Sequence, residues 1–220
     1  MIALSWSGGK DSALALWRLR EAGNQRVDLI STVVEDFERV SIHGVRVELL
    51  REQARALDCE LHEVWIPADC SIELYERRFL AALATEPLAK LDSVAFGDLF
   101  LAKVRSYRER LLQGLDCRAS FPLWGADTSL LAREFIGAGF EATIVCVDSS
   151  MADRSLAGRR FDSGFLAGLP YGVDPCGENG EFHTFVDDGP LFGHGLACET
   201  IEIVERGRWF YAELSSQRRA

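Results

Sequence analysis

Short apolar runs and helical patterns alternate along the first half of the chain. Each apolar run is rich in β-type side chains, and each is followed by a longer segment whose apolar positions recur at helical spacing. This alternation of strand and helix predicts a parallel sheet with helices on both faces. The predicted strands are residues 2–6, 27–34, 61–66 and 93–96, and the predicted helices are residues 11–22, 45–57, 72–84 and 99–112.

The pattern changes after Cys117. A helix is predicted over residues 126–138, and either Asp127 or Thr128 is suited to cap its first turn. A further strand is predicted over residues 143–147, where apolar and β-branched residues follow one another. The second part of the chain therefore mixes helix and strand without the regular alternation of the first part.

Residues 149–187 are rich in glycine, aspartate and arginine and show weak periodicity. A loop-rich stretch of this length is more often functional than idle. Beyond it, two strands are predicted on either side of Arg206-Gly207. We therefore predict an α/β fold, with a Rossmann-like domain over residues 1–116 and a smaller α+β domain over residues 117–220.

A glycine-rich turn between the first strand and the first helix is the strongest local signal. Glycines allow a close approach of the backbone to an anion, and the free N–H groups of a helix start point at it. Lys10 adds a positive charge, while the carboxylate of Asp11 suggests a cation such as Mg²⁺ between itself and a phosphate. The segment therefore predicts a triphosphate site, and its residues are Ser7, Gly8, Gly9, Lys10, Asp11 and Ser12.

Further polar residues follow other predicted strands, where ligands of parallel sheets bind. Gly97 and Asp98 follow the fourth strand, and His43 follows the second, where a ribose or base would lie. Arg105 and Arg108 are three residues apart on the next helix and share a face. They are suited to clamp pyrophosphate or an acceptor carboxylate. The alternative is a solvated helix face that pairs with a neighbouring glutamate.

The segment Gly177–Thr184 places two carboxylates and an imidazole among glycines. Ammonium needs hydrogen-bond acceptors, and its conversion to a nucleophile needs a base. Glu178 and Glu181 suit those roles, and His183 is an alternative base because its ordinary pKa lies near neutrality. The competing interpretation is an acidic turn that leads into a strand.

The charge and composition of the chain argue against several classes of binding partner. The formal net charge of −10 argues against nucleic acid, whose binding relies on a basic face. The six cysteines form no CxxC pair, which argues against a zinc knuckle or a redox pair and favours a reducing cytoplasm. The first residues lack the features of a signal peptide, and no apolar run approaches the roughly 18 residues that span a bilayer. We therefore expect a cytoplasmic protein without a membrane partner.

Several motifs together resemble a known family. Ser7–Ser12 matches the SGGKDS signature of the N-type PP-loop ATP pyrophosphatases, which belong to the wider HUP class of Rossmann-like folds. Gly97-Asp98, Tyr107–Arg110, Pro122–Gly125 and above all Gly177–Thr184 look like the diphthine–ammonia ligase, or diphthamide synthase, branch of that class. The residues after the second and fourth strands look more like the bacterial members of the branch.

The resemblance runs from about residue 2 to about residue 192. It implies a PP-loop domain with a smaller branch-specific domain, and the conversion of a carboxylate to an amide with ATP and ammonia. AMP and pyrophosphate are released, with Mg²⁺ at the phosphates. In such an enzyme Lys10, Asp11, Glu178, Glu181 and His183 are the expected catalytic residues. The implied acceptor is diphthine, which is carried by a protein, or another carboxylate.

Two other functions stay open at this point. A tRNA-modifying PP-loop enzyme usually needs paired cysteines and a basic surface, and the sequence has neither. A sensor that holds an adenine nucleotide without turnover would need only the phosphate loop, so the Gly177–Thr184 carboxylates disfavour it. The sequence leaves open the source of ammonia and whether the chain forms a homodimer.

Overall fold

Two β-sheets organise the chain, of which the computed structural model describes residues 1–216. The first sheet contains β1 (Ile2–Ser5), β2 (Val27–Val34), β3 (Arg39–Val40), β4 (Leu61–Ile66), β5 (Ser93–Ala95) and β6 (Arg118–Ser120), and the second contains β7 (Glu141–Asp148), β8 (Phe182–Asp188), β9 (Cys198–Arg206) and β10 (Trp209–Ser216). The helices are α1 (Lys10–Glu21), α2 (Val47–Ala56), α3 (Ile72–Leu83), α4 (Ala102–Leu111), α5 (Thr128–Gly137) and α6 (Ser163–Ala167).

The first sheet is parallel apart from the short β3. Strand β1 lies at its centre between β2 and β5, with β4 beyond β2 and β6 beyond β5. The chain therefore builds outward from β1 through β2 and β4, and then returns to add β5 and β6 on the other side. This reversal of strand order opens a crevice beyond the carboxyl ends of β1 and β5, where ligands bind in such sheets.

Helices cover both faces of this sheet because each has an apolar side. Leu14, Leu16 and Leu19 of α1 are buried against one face in a large apolar cluster, and Phe79 of α3 and Leu111 of α4 are buried in a second cluster on the other face. The first cluster continues through the aromatic side chains of the second sheet, so both sheets share this core. No helix among residues 1–216 is long and apolar enough to cross a bilayer.

The second sheet is antiparallel, in the order β8-β7-β10-β9. Its strand β8 lies against the turn that follows β1, since Val186 N donates to the Gly8 carbonyl at 2.9 Å. The second sheet is therefore in direct contact with the phosphate loop.

The predicted class, a parallel Rossmann-like sheet with a smaller α+β unit, is confirmed by this architecture. Asp127, one of the two predicted caps, accepts from Leu130 N at 2.9 Å and begins α5. Helix α4 begins at Ala102 and not at 99, because the residues after β5 form a loop. Three strands escaped prediction: the short β3, β6, and β8, which begins inside the stretch expected to be loops. The predicted boundary at 116/117 stays a prediction, and β6 after it pairs with β5 of the first sheet.

Candidate active site

A cavity of about 240 Å³ lies at the carboxyl ends of β1 and β5. The segment from Cys176 to Thr184 covers it, and the rest of its lining comes from the end of β1 and the turn after it, from His43, from the residues after β5 and from Arg108 of α4. The predicted site residues among its lining are Ser7, Lys10, Asp11, Ser12, His43, Gly97, Asp98, Arg108, Glu178 and His183.

Glycines in the phosphate loop and after β5 are needed for two different reasons. Gly8 has φ +79°, a left-handed conformation that side chains other than glycine rarely adopt. Gly97 packs so closely on the start of α1 that an added Cβ would lie 3.1 Å from the Asp11 carbonyl carbon. Gly9 precedes α1 without a side chain to cap it, and Thr184 Oγ1 accepts from Lys10 N at 2.9 Å in its place.

Lys10 is the central cation of the cavity. Its side chain is only 3% exposed, and its ammonium donates to both oxygens of Asp11, at 2.9 and 2.8 Å, and to the Cys176 carbonyl. Burial by itself lowers the pKa of Lys10, but the charge and hydrogen bonds of Asp11, together with the nearby Cys176 and Glu178, outweigh burial and the pKa is raised. Lys10 is therefore positively charged at neutral pH.

Two further carboxyl groups face the same cavity. Glu178 Oε1 accepts from Leu99 N at 2.8 Å, and burial, together with the nearby Asp11 charge, raises the pKa of Glu178 to about 7. Burial also raises the pKa of Asp98, against the opposing effect of Arg108. Glu178 is thus poised to accept or release a proton near neutrality, which suits a general base.

The carboxylates of Asp11 and Asp98 are suited to bind a Mg²⁺ ion whose remaining ligands come from a bound phosphate. Mg²⁺ usually takes one or two protein carboxylates and completes its shell with phosphate oxygens and water. Asp11 and Asp98 both line the cavity, and Asp98 Oδ2 is buried without a hydrogen-bond partner. Among residues 1–216 no group of three His, Cys, Asp or Glu side chains is placed to hold a metal by itself. The residues therefore fit a cation that depends on phosphate for the rest of its ligands.

Two histidines stand beside the phosphate loop. The ring centroids of His43 and His183 are 4.6 Å apart, and the His43 Nδ1 is 3.2 Å from the Thr184 carbonyl oxygen. Burial lowers the pKa of His43 to about 4, and burial together with His43 lowers the pKa of His183 well below its usual value. The expectation that His183 titrates near neutrality is therefore wrong, because the buried imidazole stays neutral and is a weak base.

A second cavity, of about 360 Å³, adjoins the first. The two share Ser5, Ser7, His43 and Arg108 as lining residues. The second cavity is otherwise lined by a mixture of apolar side chains and hydroxyls from Trp6, Thr32, Val40, Ser41, Ile42 and Tyr75. A charged compartment therefore opens into a less charged one, which matches the two ends of a nucleotide.

Comparison with known families decides the assignment. The model of the diphthamide synthase N-terminal domain matches residues 1–119, and that of the diphthamide synthase C-terminal domain matches residues 127–218. The chain belongs to the diphthamide synthase family.

Relatives in this family are named diphthine–ammonia ligase. The rat protein is 28% identical and the human protein 27%, and each comparison covers 92% of this chain and 84% of the relative. The Schizosaccharomyces pombe protein is 24% identical over 90% of this chain, which spans only 36% of that longer protein. A solved structure, entitled as a predicted subunit of a tRNA methyltransferase from Methanocaldococcus jannaschii, is similar at a TM-score of 0.45 and 21% identity, over 66% of this chain and 79% of that one.

Four predicted site residues of this diphthamide synthase family member lie outside the cavity lining: Gly8 and Gly9, which shape the phosphate loop, and Glu181 and Arg105. Glu181 is 2% exposed at the start of β8, where its Oε1 accepts from Asp174 N and Asn179 Nδ2, both at 3.0 Å. It stabilises the turn that presents Glu178. Its Oε2 is buried without a partner.

Arg105 also points away from the cavity. Its Nε donates to Glu109 at 2.9 Å, and its guanidinium lies over the rings of Phe121 and Trp124, at 4.9 and 4.8 Å from their centroids. Arg105 and Arg108 lie on neighbouring parts of the α4 surface, but only Arg108 reaches the cavity. For Arg105 the structure matches the alternative of a helix-face pair with glutamate.

Sequence reasoning missed Gln53, which joins both sheets at the phosphate loop. Gln53 is completely buried on α2. Its Oε1 accepts from Trp6 Nε1 at 2.8 Å, and its Nε2 donates to the carbonyls of Gly8 at 3.0 Å and Val186 at 2.6 Å. No local signal marks it, since a glutamine on a charged amphipathic helix predicts an exposed side chain.

We expect Gln53→Leu to destabilise the fold by about 3 kcal/mol or more. The change removes the hydrogen bonds of Gln53 to the Trp6 indole and to the Gly8 and Val186 carbonyls, of which the Gly8 carbonyl keeps Val186 N as a donor. Each buried group left unsatisfied costs about 1–3 kcal/mol. Urea unfolding of the wild type and the variant measures the difference. Gln113→Leu, at an exposed position, is the matched control and should change stability by less than about 0.5 kcal/mol. Equal stability of the two variants would contradict the bridging role of Gln53.

Proposed function

We propose that this protein is an ATP-dependent ligase that releases AMP and pyrophosphate and forms an amide from a carboxylate and ammonia. The observation that carries the proposal is the shared cavity, in which the charged phosphate loop faces Glu178 and opens into a nucleoside-sized compartment. Membership of the diphthamide synthase family supports the same reaction class.

The phosphate loop binds the triphosphate through its hydroxyls, its backbone and Lys10. Ser7 Oγ and Ser12 Oγ are 3.3 Å apart at the mouth of the loop, where both can donate to one phosphate group. Lys10 already lies in the cavity in its charged state, so it neutralises phosphate without a change of protonation. Asp11 and Asp98 would hold Mg²⁺ together with the phosphates, and this ion would supply neutralisation of charge at the cleaved bond.

The acceptor carboxylate oxygen attacks the α-phosphorus, the bond to the bridging oxygen breaks, and pyrophosphate leaves with its electron pair. The product is an acyl adenylate. Ammonium gives a proton to Glu178, and the resulting ammonia attacks the acyl carbon. Loss of a second proton and departure of AMP complete the amide. The positions of Lys10 and Glu178 on the same cavity support a sequence of two steps at one centre.

Glu178 is the base in this proposal, and the other predicted catalytic residues assist it. Its pKa of about 7 allows it to take a proton from ammonium and to lose it again near neutrality. Glu181 secures the turn that carries Glu178. The neutral His183 adds a polar wall that does not repel Lys10 by charge. Arg105 has no contact with the reactants in this scheme.

The acceptor is proposed from the relatives. Because they are named diphthine–ammonia ligases, we propose that this chain acts on diphthine or on another carboxylate carried by a protein.

Product analysis tests the proposed reaction. Purified protein is incubated with ATP, Mg²⁺, ammonium and the diphthine-bearing acceptor protein, and nucleotides are separated chromatographically. We expect AMP and pyrophosphate in equal amounts, together with one amide formed per AMP. Release of ADP and inorganic phosphate would refute the proposal. Tight ATP binding in calorimetry, with no AMP formed under any acceptor, would favour the nucleotide sensor.

A further inference from the structure

Arg108 stands where the two cavities meet. It lines both the charged compartment around Lys10 and the nucleoside-sized compartment that contains Tyr75. If the charged compartment holds the β- and γ-phosphates of ATP and the other compartment holds the nucleoside, the α-phosphate that joins them lies beside Arg108. Arg108 is therefore next to the α-phosphate, the group at which the proposed bond cleavage takes place.

The guanidinium of Arg108 is close to a carboxylate but does not form a hydrogen bond with it. Its Nε is 3.7 Å from Asp98 Oδ2, beyond hydrogen-bonding distance. Both of these atoms are buried, and both lack a hydrogen-bond partner among the described residues. Buried polar atoms are nearly always satisfied in native proteins, so an open pair of this kind points to a ligand that satisfies them.

Tyr75 of α3 holds the guanidinium through a different nitrogen from the one that faces Asp98. Arg108 Nη1 donates to the Tyr75 hydroxyl at 3.2 Å, and the Arg108 guanidinium lies 4.9 Å from the centre of the Phe96 ring. Tyr75 is itself fixed by stacking on Phe79, with ring centroids 5.7 Å apart. The hydrogen bond from α4 to α3 therefore opposes the attraction between Arg108 and Asp98.

We propose that Arg108 binds the α-phosphate and that Tyr75 is its positioning residue, which keeps the guanidinium from closing on Asp98. A direct Arg108–Asp98 bond would occupy the Nε donor of Arg108 and the Asp98 oxygen that the cation needs. The inference rests on the proposed function for the identity of the nucleotide. It adds a role for Tyr75 that no sequence motif indicated.

Calorimetry with AMP and with pyrophosphate tests the inference without an acceptor. We expect Tyr75→Phe to weaken binding of AMP about tenfold and binding of pyrophosphate less than twofold, because only AMP contains the α-phosphate. Tyr107→Phe is the matched control, since it removes a hydroxyl from α4 that lines neither cavity, and it should change neither affinity. Thermal unfolding of each variant shows whether it is folded.

A double-mutant cycle separates positioning from a general structural effect. On an Arg108→Ala background, Tyr75→Phe should cause no further loss of AMP affinity, because the group that it positions is absent. A full additional loss would overturn the positioning role, and so would a variant whose pyrophosphate affinity falls as much as its AMP affinity. If the wild type binds neither ATP nor AMP, the proposed function falls together with this inference. If it binds both and Tyr75→Phe has no effect, the inference alone falls.

Discussion

Lys10→Met should lower the rate of AMP formation about a thousandfold or more. The substitution keeps the length of the side chain but removes the buried ammonium that faces the triphosphate site. Fixed charges in a partly enclosed site typically contribute two to three orders of magnitude to the rate, about 3–4 kcal/mol each. AMP release with saturating ATP measures the effect.

The loss must be separated from unfolding, because the partly buried Asp11 carboxylate, which is 28% exposed, loses its ion-pair partner in the variant. Removal of one partner of a buried ion pair costs about 3–5 kcal/mol. The double variant Lys10→Met/Asp11→Asn removes both charges, and we expect it to regain much of the stability while it stays inactive. Lys90→Met is the matched control, since Lys90 is 77% exposed and pairs with the exposed Glu86. An active double variant would refute the role of Lys10.

Glu178→Gln should lower amide formation about a hundredfold or more, since a positioned base contributes about two to four orders of magnitude. The glutamine keeps an oxygen to accept from Leu99 N, so the loop after β5 should stay in place. The wild-type rate should rise with pH and level off above about 7, where Glu178 loses its proton. The variant should lack this rise. Glu205→Gln, an exposed substitution of the same kind, should leave the profile unchanged.

Glu178→Gln should also change how the free energy of unfolding depends on pH. The folded pKa of Glu178 lies above its ordinary value, at about 7, so the folded state binds more protons than the unfolded chain between about pH 4.5 and 7. The contribution of Glu178 is complete below that range and is lost as the pH rises through about 7. Glu178→Gln should therefore gain stability relative to the wild type at pH 8 but not at pH 4, as measured by urea unfolding. Parallel pH profiles of the two proteins would contradict the raised pKa.

The phosphate side of the site could be predicted because its signals are local. Ser7–Ser12 combines glycines, a lysine and hydroxyls within one strand-to-helix turn, and Gly97-Asp98 follows a strand of the same parallel sheet. The rule that ligands bind beyond the carboxyl ends of such strands then brings the two segments together. The structure places both on one cavity.

The rest of the candidate site could not be predicted, because it depends on contacts between distant parts of the chain. Gln53 bonds with Val186, 133 positions away, and neither residue carries a local sign of the other. Strand β8 was missed because the glycines and aspartates before it gave the whole stretch the composition of a loop. The opposite orientations of Glu178 and Glu181 follow from the turn between them, where Gly180 has φ +95°, and spacing alone does not reveal such a turn.

The contact between β8 and the phosphate loop has a consequence for how relatives diverge. The Gly8 carbonyl accepts from Val186 N, and the Lys10 N–H is bound by Thr184, so the nucleotide turn near the amino terminus is completed by residues from the opposite end of the chain. A chimaera that takes its carboxy-terminal half from another species would import the residues that complete this turn. The two halves of the chain therefore have to diverge together at this contact.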